Sequence, residues 1–520
     1  MSDREQLIKT PKLELHDSVS YLRELENAPQ GRHLGLFSTI VLFVSRILGT
    51  GIFSISSGIY EDCGRSPALF FAAWLVAAIM AFCGLCVYLE LGSLVPRSGG
   101  TKVFLEYIYD RPRLLASVTF SVFSIISGFT ITNCLVIGEY LLRSLGIETN
   151  DSRIRLTGLF FVYLTAAIHG LSMSHGVLVQ NFIGGLKLGL MGFMIITGFY
   201  VLFFPTSVSH IDSNLTWDNF FPLKAEVTSS SFASGVIKAS FAFSGWNAVH
   251  TVSNEVKNPV RVFKIAGPTS LLIALITYVF TNLAYLIVIP DEEFANGKTL
   301  VGSLLFEHLF GEILGRKILT FSIFICAAGN LFVVMYTISR TSQECFREGY
   351  LPFSSFMSSN WPRGAPLPTL ILSVSFTTLV LTLTPSGDIY SYIISLEGYP
   401  QTYFTLGVAI GIFIIRKRYP DVIAPIRAPT SASVVTIIIS SYLIISPLAT
   451  TKSPNPKGLE NWPSYAYLGL FILLSCSIYW VFLFKLLPWF YGYTLVQEEI
   501  EHKDGLTVKK WVKVENSQFG

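Results

Sequence analysis

Twelve stretches of about twenty predominantly apolar residues recur along the chain, and nothing else in the sequence limits its fold so strongly. A segment of that length and character spans the hydrocarbon of a bilayer as a helix. Only helices or closed barrels satisfy every backbone polar group there. The predicted spans are 36–60, 69–95, 115–142, 154–174, 179–204, 232–254, 268–290, 316–340, 366–384, 387–415, 432–449 and 463–488. Residues 299–312 read as a short amphipathic helix lying on one face before the eighth span. Composition agrees: 51% of the 520 residues are apolar and 14% are charged, where a soluble chain carries nearer a quarter.

Lys and Arg in the loops set the orientation. With both termini cytosolic, inner segments hold 23 of these residues and outer segments 10. The expected division is a cytosolic tail over 1–33, a membrane domain over 34–490 and a second cytosolic tail over 491–520. Residues 1–33 have no short apolar core of the kind secretion signals carry, so the first span is expected to direct membrane insertion. A plasma-membrane location is the expectation. The net charge of +3 is spread through short loops, which excludes nucleic acid as a partner. Cys83 and Cys86 form a C-x-x-C inside an apolar run, where cysteine acts as a small hydrophobe. His169 and His175 are read as interfacial, and no metal site is expected.

Two spans are interrupted at matched places. The first contains Gly49-Thr50-Gly51 and the sixth contains Ser244-Gly245-Trp246-Asn247. Paired interruptions five spans apart mark a midplane solute site built from unwound backbone. Free amides at Thr50, Gly51 and Ile52 open a half-helix whose positive end suits a carboxylate. Carbonyls of Ile47, Phe241 and Ser244 are free to receive an ammonium group. The ligand implied is a zwitterion. Gly pairs are also common packing notches in membrane helices, and the matching of the two breaks favours the site.

The residues around these breaks carry a resemblance. RILGTGIF, ELGSLVPRSGGTKVFLEYIY (90–109), FSGWNAV, NEVKNPVR (254–261) and SRTSQECFREGYLP (339–352) resemble the amino acid–polyamine–organocation superfamily, closest to its L-type amino acid transporter branch. Arg46 before the first break and Lys238 before the second are similar to fungal high-affinity methionine permeases. The resemblance implies an all-α fold of 12 transmembrane helices. Five plus five form an inverted repeat with helices 1 and 6 broken, and two further helices follow. It implies alternating access. Gly49, Thr50 and Gly51 would hold the substrate carboxylate, and Ile47 and Ser244 the amine. Phe241 would be an aromatic lid, with Ile52, Phe243, Trp246 and Asn247 at or beside the pocket. Ser244-Gly245 stands where many L-type members have two glycines. Animal L-type exchangers pair with a glycoprotein through a Cys between spans three and four. Loop 143–153 has no Cys, so no obligate glycoprotein subunit is expected.

Charges inside spans cost about 2.5–3.5 kcal/mol on insertion scales and call for a role. Lys187, flanked by Gly185 and Gly189, resembles the fifth-span Lys that substitutes for a sodium ion between spans one, five and eight. It is either a coupling residue or a structural ammonium on carbonyls freed by the first break. Arg46 and Lys238 read as gate or network residues. Glu90 reads as a packing or gating element at the inner end of span two. Asn214-Leu215-Thr216 is a glycosylation sequon in an outer loop. The reading is a secondary active permease for a neutral amino acid such as methionine. It is driven by a proton gradient, with no cofactor and no enzymatic activity. The alternatives are a sensor on the same fold, or a permease for a cationic or branched neutral amino acid.

Overall fold

In the computed structural model the protein is a bundle of long helices. The structure describes residues 35–515 except 50, 96–98, 172, 205–212, 247–249, 251–255, 298–299, 362–363, 385–388, 450–458, 460–461 and 502–506. Among the described residues, ten helices are long and apolar enough to cross a membrane, and Leu367–Leu383 is a shorter apolar one. The helix Ser229–Ala242 begins the sixth span. The chain is an all-α, multi-pass membrane protein.

The elements follow the expected spans closely. The first span is split into α1 (Leu36–Ile47), α2 (Gly51–Ser54) and α3 (Ser56–Asp62). Next come α4 (Pro67–Leu94), α5 (Thr101–Ile108), α6 (Leu115–Ile126), α7 (Ile131–Ser144), α8 (Asp151–Leu171) and α9 (Met173–Phe203). The second half opens with α10 (Ser229–Ala242), α11 (Pro259–Val288), α12 (Asp291–Asn296) and α13 (Val301–Phe310). It closes with α14 (Thr320–Arg347), α15 (Leu367–Leu383), α16 (Ile389–Arg418), α17 (Thr430–Leu448) and α18 (Tyr465–Val481). Pro67 and Pro259 stand in the first turns of α4 and α11, where proline loses no intrahelical bond. Thr228 caps α10 by accepting from the Ser231 N–H, and the Ser231 hydroxyl group accepts from the Thr228 N–H.

Four features depart from the sequence reading. The third span is two helices, because Ser127–Thr130 leaves the helix between α6 and α7. Its backbone is held from α15, where Ser373 donates to the Gly128 carbonyl and the Thr130 N–H donates to Thr377 at 3.0 Å. The segment read as a surface helix forms α13 and is inserted instead. A side-chain carbon on Gly302 would sit 3.2 Å from Phe53 of the broken first span. His169 is fully buried rather than interfacial, its Nε2 3.1 Å from the Phe332 carbonyl. A small ring on α8 thus supplies a polar contact to the α14 backbone.

The fourth departure is at the C-terminus. The expected tail contains an antiparallel pair, β1 (Tyr493–Glu501) with β2 (Thr507–Glu515). Trp511 anchors it by donating to the Glu348 carbonyl at 2.9 Å and packing edge-on to Phe484 at 5.2 Å.

Ion pairs tie the ends of the bundle together. At one end Asp62 holds Lys238 at 2.9 Å, and Asp291 takes both Lys224 at 3.0 Å and the Tyr60 hydroxyl at 2.5 Å. At the other end Glu90 accepts from Arg416 and from the Ala428 N–H. Glu348 holds Lys102 at 2.7 Å. Buried charges need such partners, since an unpaired one costs several kcal/mol. The Glu90 contacts tie the end of α4 to α16 and to the Ala428 backbone. Asn214 of the sequon is exposed, and its side-chain amide donates to the Ile287 and Val288 carbonyls at 3.2 Å each.

Candidate functional site

The two breaks meet. A side-chain carbon on Gly51 would lie 3.2 Å from both Cα and Cβ of Ala242, the last residue of α10. A side chain there would press on the opposing α10 backbone, so glycine allows the close approach. At the second break Gly245 has φ +113°, and a side-chain carbon on it would lie 2.5 Å from Arg46 Cγ. Both the backbone conformation and the space exclude any other residue. Arg46 therefore lies directly over the second break.

Tyr278 of α11 joins the two interruptions. Its hydroxyl lies 2.7 Å from the Ile47 carbonyl and 2.7 Å from the Ala242 carbonyl, so one proton is shared between the last residues of α1 and α10. Tyr285, about two turns further on, donates to the Ile52 carbonyl at 3.2 Å. These tyrosines satisfy carbonyls that unwinding exposes, which would otherwise be costly in lipid. The Ile47 carbonyl also takes the Gly49 N–H at 2.7 Å. In this conformation it is already engaged twice rather than free for an amine. The Phe241 carbonyl likewise takes the Ser244 N–H at 3.0 Å.

A cavity of about 340 Å³ adjoins the breaks, within the range of small-molecule sites. Of the expected binding residues, Ile47, Gly49, Gly51, Phe241, Ser244 and Trp246 line it. Ile52 and Phe243 are buried behind it, with Phe243 packed on Trp74 and Tyr278. Thr50 and Asn247 lie outside the described residues. Trp246 stands edge-on to Tyr88 at 5.0 Å and over Gly84, where a side-chain carbon would come within 2.7 Å of its ring. The cavity also touches Gly99 and Thr101, in the connection from the second span to the third. It therefore extends from the breaks toward that end of the bundle.

Comparison with known proteins decides the family. Residues 34–482 match the amino acid permease family. This chain belongs to it. The permease is 43% identical over 492 residues to the low-affinity methionine permease of Saccharomyces cerevisiae, covering 93% of this chain and 88% of that one. It is 30% identical over 502 residues to the high-affinity methionine permease of the same yeast, covering 94% and 85%. It is 26% identical over 461 residues to the large neutral amino acids transporter small subunit 2 of Oryctolagus cuniculus, covering 86% and 81%.

The permease's intramembrane lysines sit outside the cavity lining. Lys187 is buried on α9 and donates to the Ser45 carbonyl at 3.1 Å, with Cys326 of α14 close enough to interact. It thus lies among spans one, five and eight. Gly185 and Gly189 are exposed and surround nothing; the close approach is at Gly184, which faces Ser45. Lys238 ties α10 to Asp62 at the end of α3. Arg46 does line the cavity.

The sequence reading missed several lining residues. Asn330 of α14 faces the first break, its side-chain nitrogen 3.2 Å from where a Gly49 side chain would begin. That nitrogen donates to Asn133 of α7 at 2.8 Å, and the Asn330 side-chain oxygen is buried without a donor. Glu397 of α16 also lines the cavity. A single polar residue in an apolar span carries a signal, since each has a cost there. The spans that bring them together, however, are far apart in sequence.

Proposed function

We propose that the permease carries methionine into the cell by proton-coupled alternating access. It works at the plasma membrane with both termini cytosolic and without a glycoprotein subunit. The observation that carries this reading is the cavity against two touching helix breaks, lined by Gly49, Gly51 and Ser244. A zwitterion's carboxylate fits the amide end of α2, and its amine fits the carbonyls of the second break. The names of the yeast relatives support methionine as cargo. The apolar part of the lining, which includes Met80, Phe120 and Val334, suits a thioether chain.

With the positive-inside orientation, the end carrying Gly99 and Thr101 faces the cytosol. The Asp62–Lys238 and Tyr60–Asp291 contacts then close the outer end, and the conformation is inward-facing. Substrate reaches the breaks from outside only after that layer opens. Lys187, with its ammonium on the α1 backbone just before the break, is the residue placed to couple a proton to this movement. Loss of its proton would remove the charge from the bond to the Ser45 carbonyl, weakening the tie between α1 and α9.

Purified protein in liposomes tests the reading through uptake of labelled methionine with and without an inwardly directed proton gradient. Uptake should rise with the gradient and be competed by unlabelled methionine. Replacing Lys187 with Met should remove the dependence on the gradient. Methionine uptake indifferent to pH would refute the coupling. Binding without uptake would turn the reading to a sensor.

A further inference from the structure

The cavity contains two charges that zwitterion recognition by backbone does not require. Among its described lining residues, Arg46 and Glu397 are the only two with a formal charge. Arg46 ends α1 just before the first break, and Glu397 lies near the middle of α16. Each is the charged neighbour the other feels. They do not close into a direct ion pair as Asp62 and Lys238 do. Arg46 Nε and one carboxylate oxygen of Glu397 are buried without hydrogen-bond partners. The other described lining side chains carry no formal charge, among them Thr132, Asn330, Gln401 and Thr402.

Other fixed charges nearby are engaged elsewhere. Lys187 lies outside the lining on the Ser45 carbonyl, and Lys238 is neutralised by Asp62. The lining therefore carries one basic and one acidic side chain, which border the same cavity without pairing to each other. In a site of low dielectric a third charge meets one attractive and one repulsive partner, so its lost hydration is not recovered. An uncharged side chain has no such hydration to lose.

We propose that Arg46 and Glu397 are a matched charge pair that keeps the substrate cavity net neutral, and so select amino acids with uncharged side chains. This inference rests on the reading of the chain as a permease for a neutral amino acid. It makes both residues specificity determinants rather than ligands of the substrate's own head group. Discrimination arises from repulsion of the wrong substrate as much as from contacts to the right one.

The pair predicts opposite specificity changes from its two halves. Liposomes would carry wild type, R46Q, E397Q or the double variant R46Q/E397Q. The measurement is competition of labelled methionine uptake by lysine and by glutamate. With Arg46 neutralised, Glu397 stands alone, and lysine should gain about tenfold against methionine relative to wild type. With Glu397 neutralised, glutamate should gain by about the same factor and lysine should not. The double variant should again prefer methionine to both. R46K and E397D keep the charges and should keep the wild-type ranking. Variants too impaired to transport are read by ligand-induced thermal stabilisation with the same three amino acids. An unchanged ranking in both single variants, or one changed alike in both, would overturn the inference. Wild type that takes up no neutral amino acid would instead refute the functional reading on which it rests.

Discussion

The two sides of the helix breaks treat their charges in opposite ways. Beyond α3, Asp62 holds Lys238 at 2.9 Å, and Asp291 collects Tyr60 and Lys224. On the cavity side Arg46 Nε, a Glu397 oxygen and the Asn330 side-chain oxygen lack partners. The charges of the closed layer are ion-paired within the protein, while Ser54 and Ser230 there keep buried hydroxyls without a hydrogen bond. A layer that must receive a ligand leaves some for the ligand to satisfy, at a cost that confines them to a functional place.

The largest test of this contrast is at Gly245. With φ +113° and Arg46 Cγ 2.5 Å from a built side-chain carbon, G245V should remove essentially all uptake while surface labelling still finds the protein. G185A, where a side-chain carbon meets nothing within 4 Å, should transport like wild type. Equal uptake by G245V and wild type would mean the breaks do not meet as described.

Next in size is Y278F. It takes the shared proton from two buried carbonyls, a loss of about 1–3 kcal/mol. Thermal unfolding should register that loss, and uptake should fall by about tenfold if both breaks move with α11. A fall in stability with uptake intact would limit Tyr278 to a structural role.

A smaller effect is expected at the closed layer. D62N removes one partner of the Lys238 pair and should favour opening of that end of the bundle. Cys63, fully buried beside Gly235, is the reporter. It should resist a membrane-impermeant thiol reagent in wild type and react several-fold faster in D62N, a modest shift in opening equilibrium. Labelling from the cytosolic side instead would reverse the orientation. The smallest effect belongs to the exposed Arg418–Asp110 pair, at 3.0 Å. D110N should change stability by less than about 0.5 kcal/mol and leave uptake unaltered.

The spans and the two paired breaks were legible in the sequence because hydrocarbon thickness fixes helix length and glycine marks unwound backbone. Other features depend on partners distant in the chain. The break at Ser127–Thr130 is stabilised by Ser373 and Thr377 of α15, and no periodicity within the third span reveals that. Ile47 was readable as a break residue, but its carbonyl is taken by Tyr278 from α11. Ile52 and Phe243 sit beside the breaks in sequence yet turn away from the cavity, since side-chain direction depends on the local backbone turn. Glu397 is a charge inside the tenth predicted span, and only the fold brings it to the same cavity as Arg46. The Trp511 anchor of the C-terminal strand pair is legible only once Glu348 and Phe484 are placed.

The most direct measurement is an experimental structure of the permease with methionine at saturating concentration. The account predicts the amino acid's head group between Gly49–Gly51 and Ser244–Gly245, with its thioether in the adjoining cavity. Methionine bound elsewhere, with the space between the two breaks empty, would contradict it.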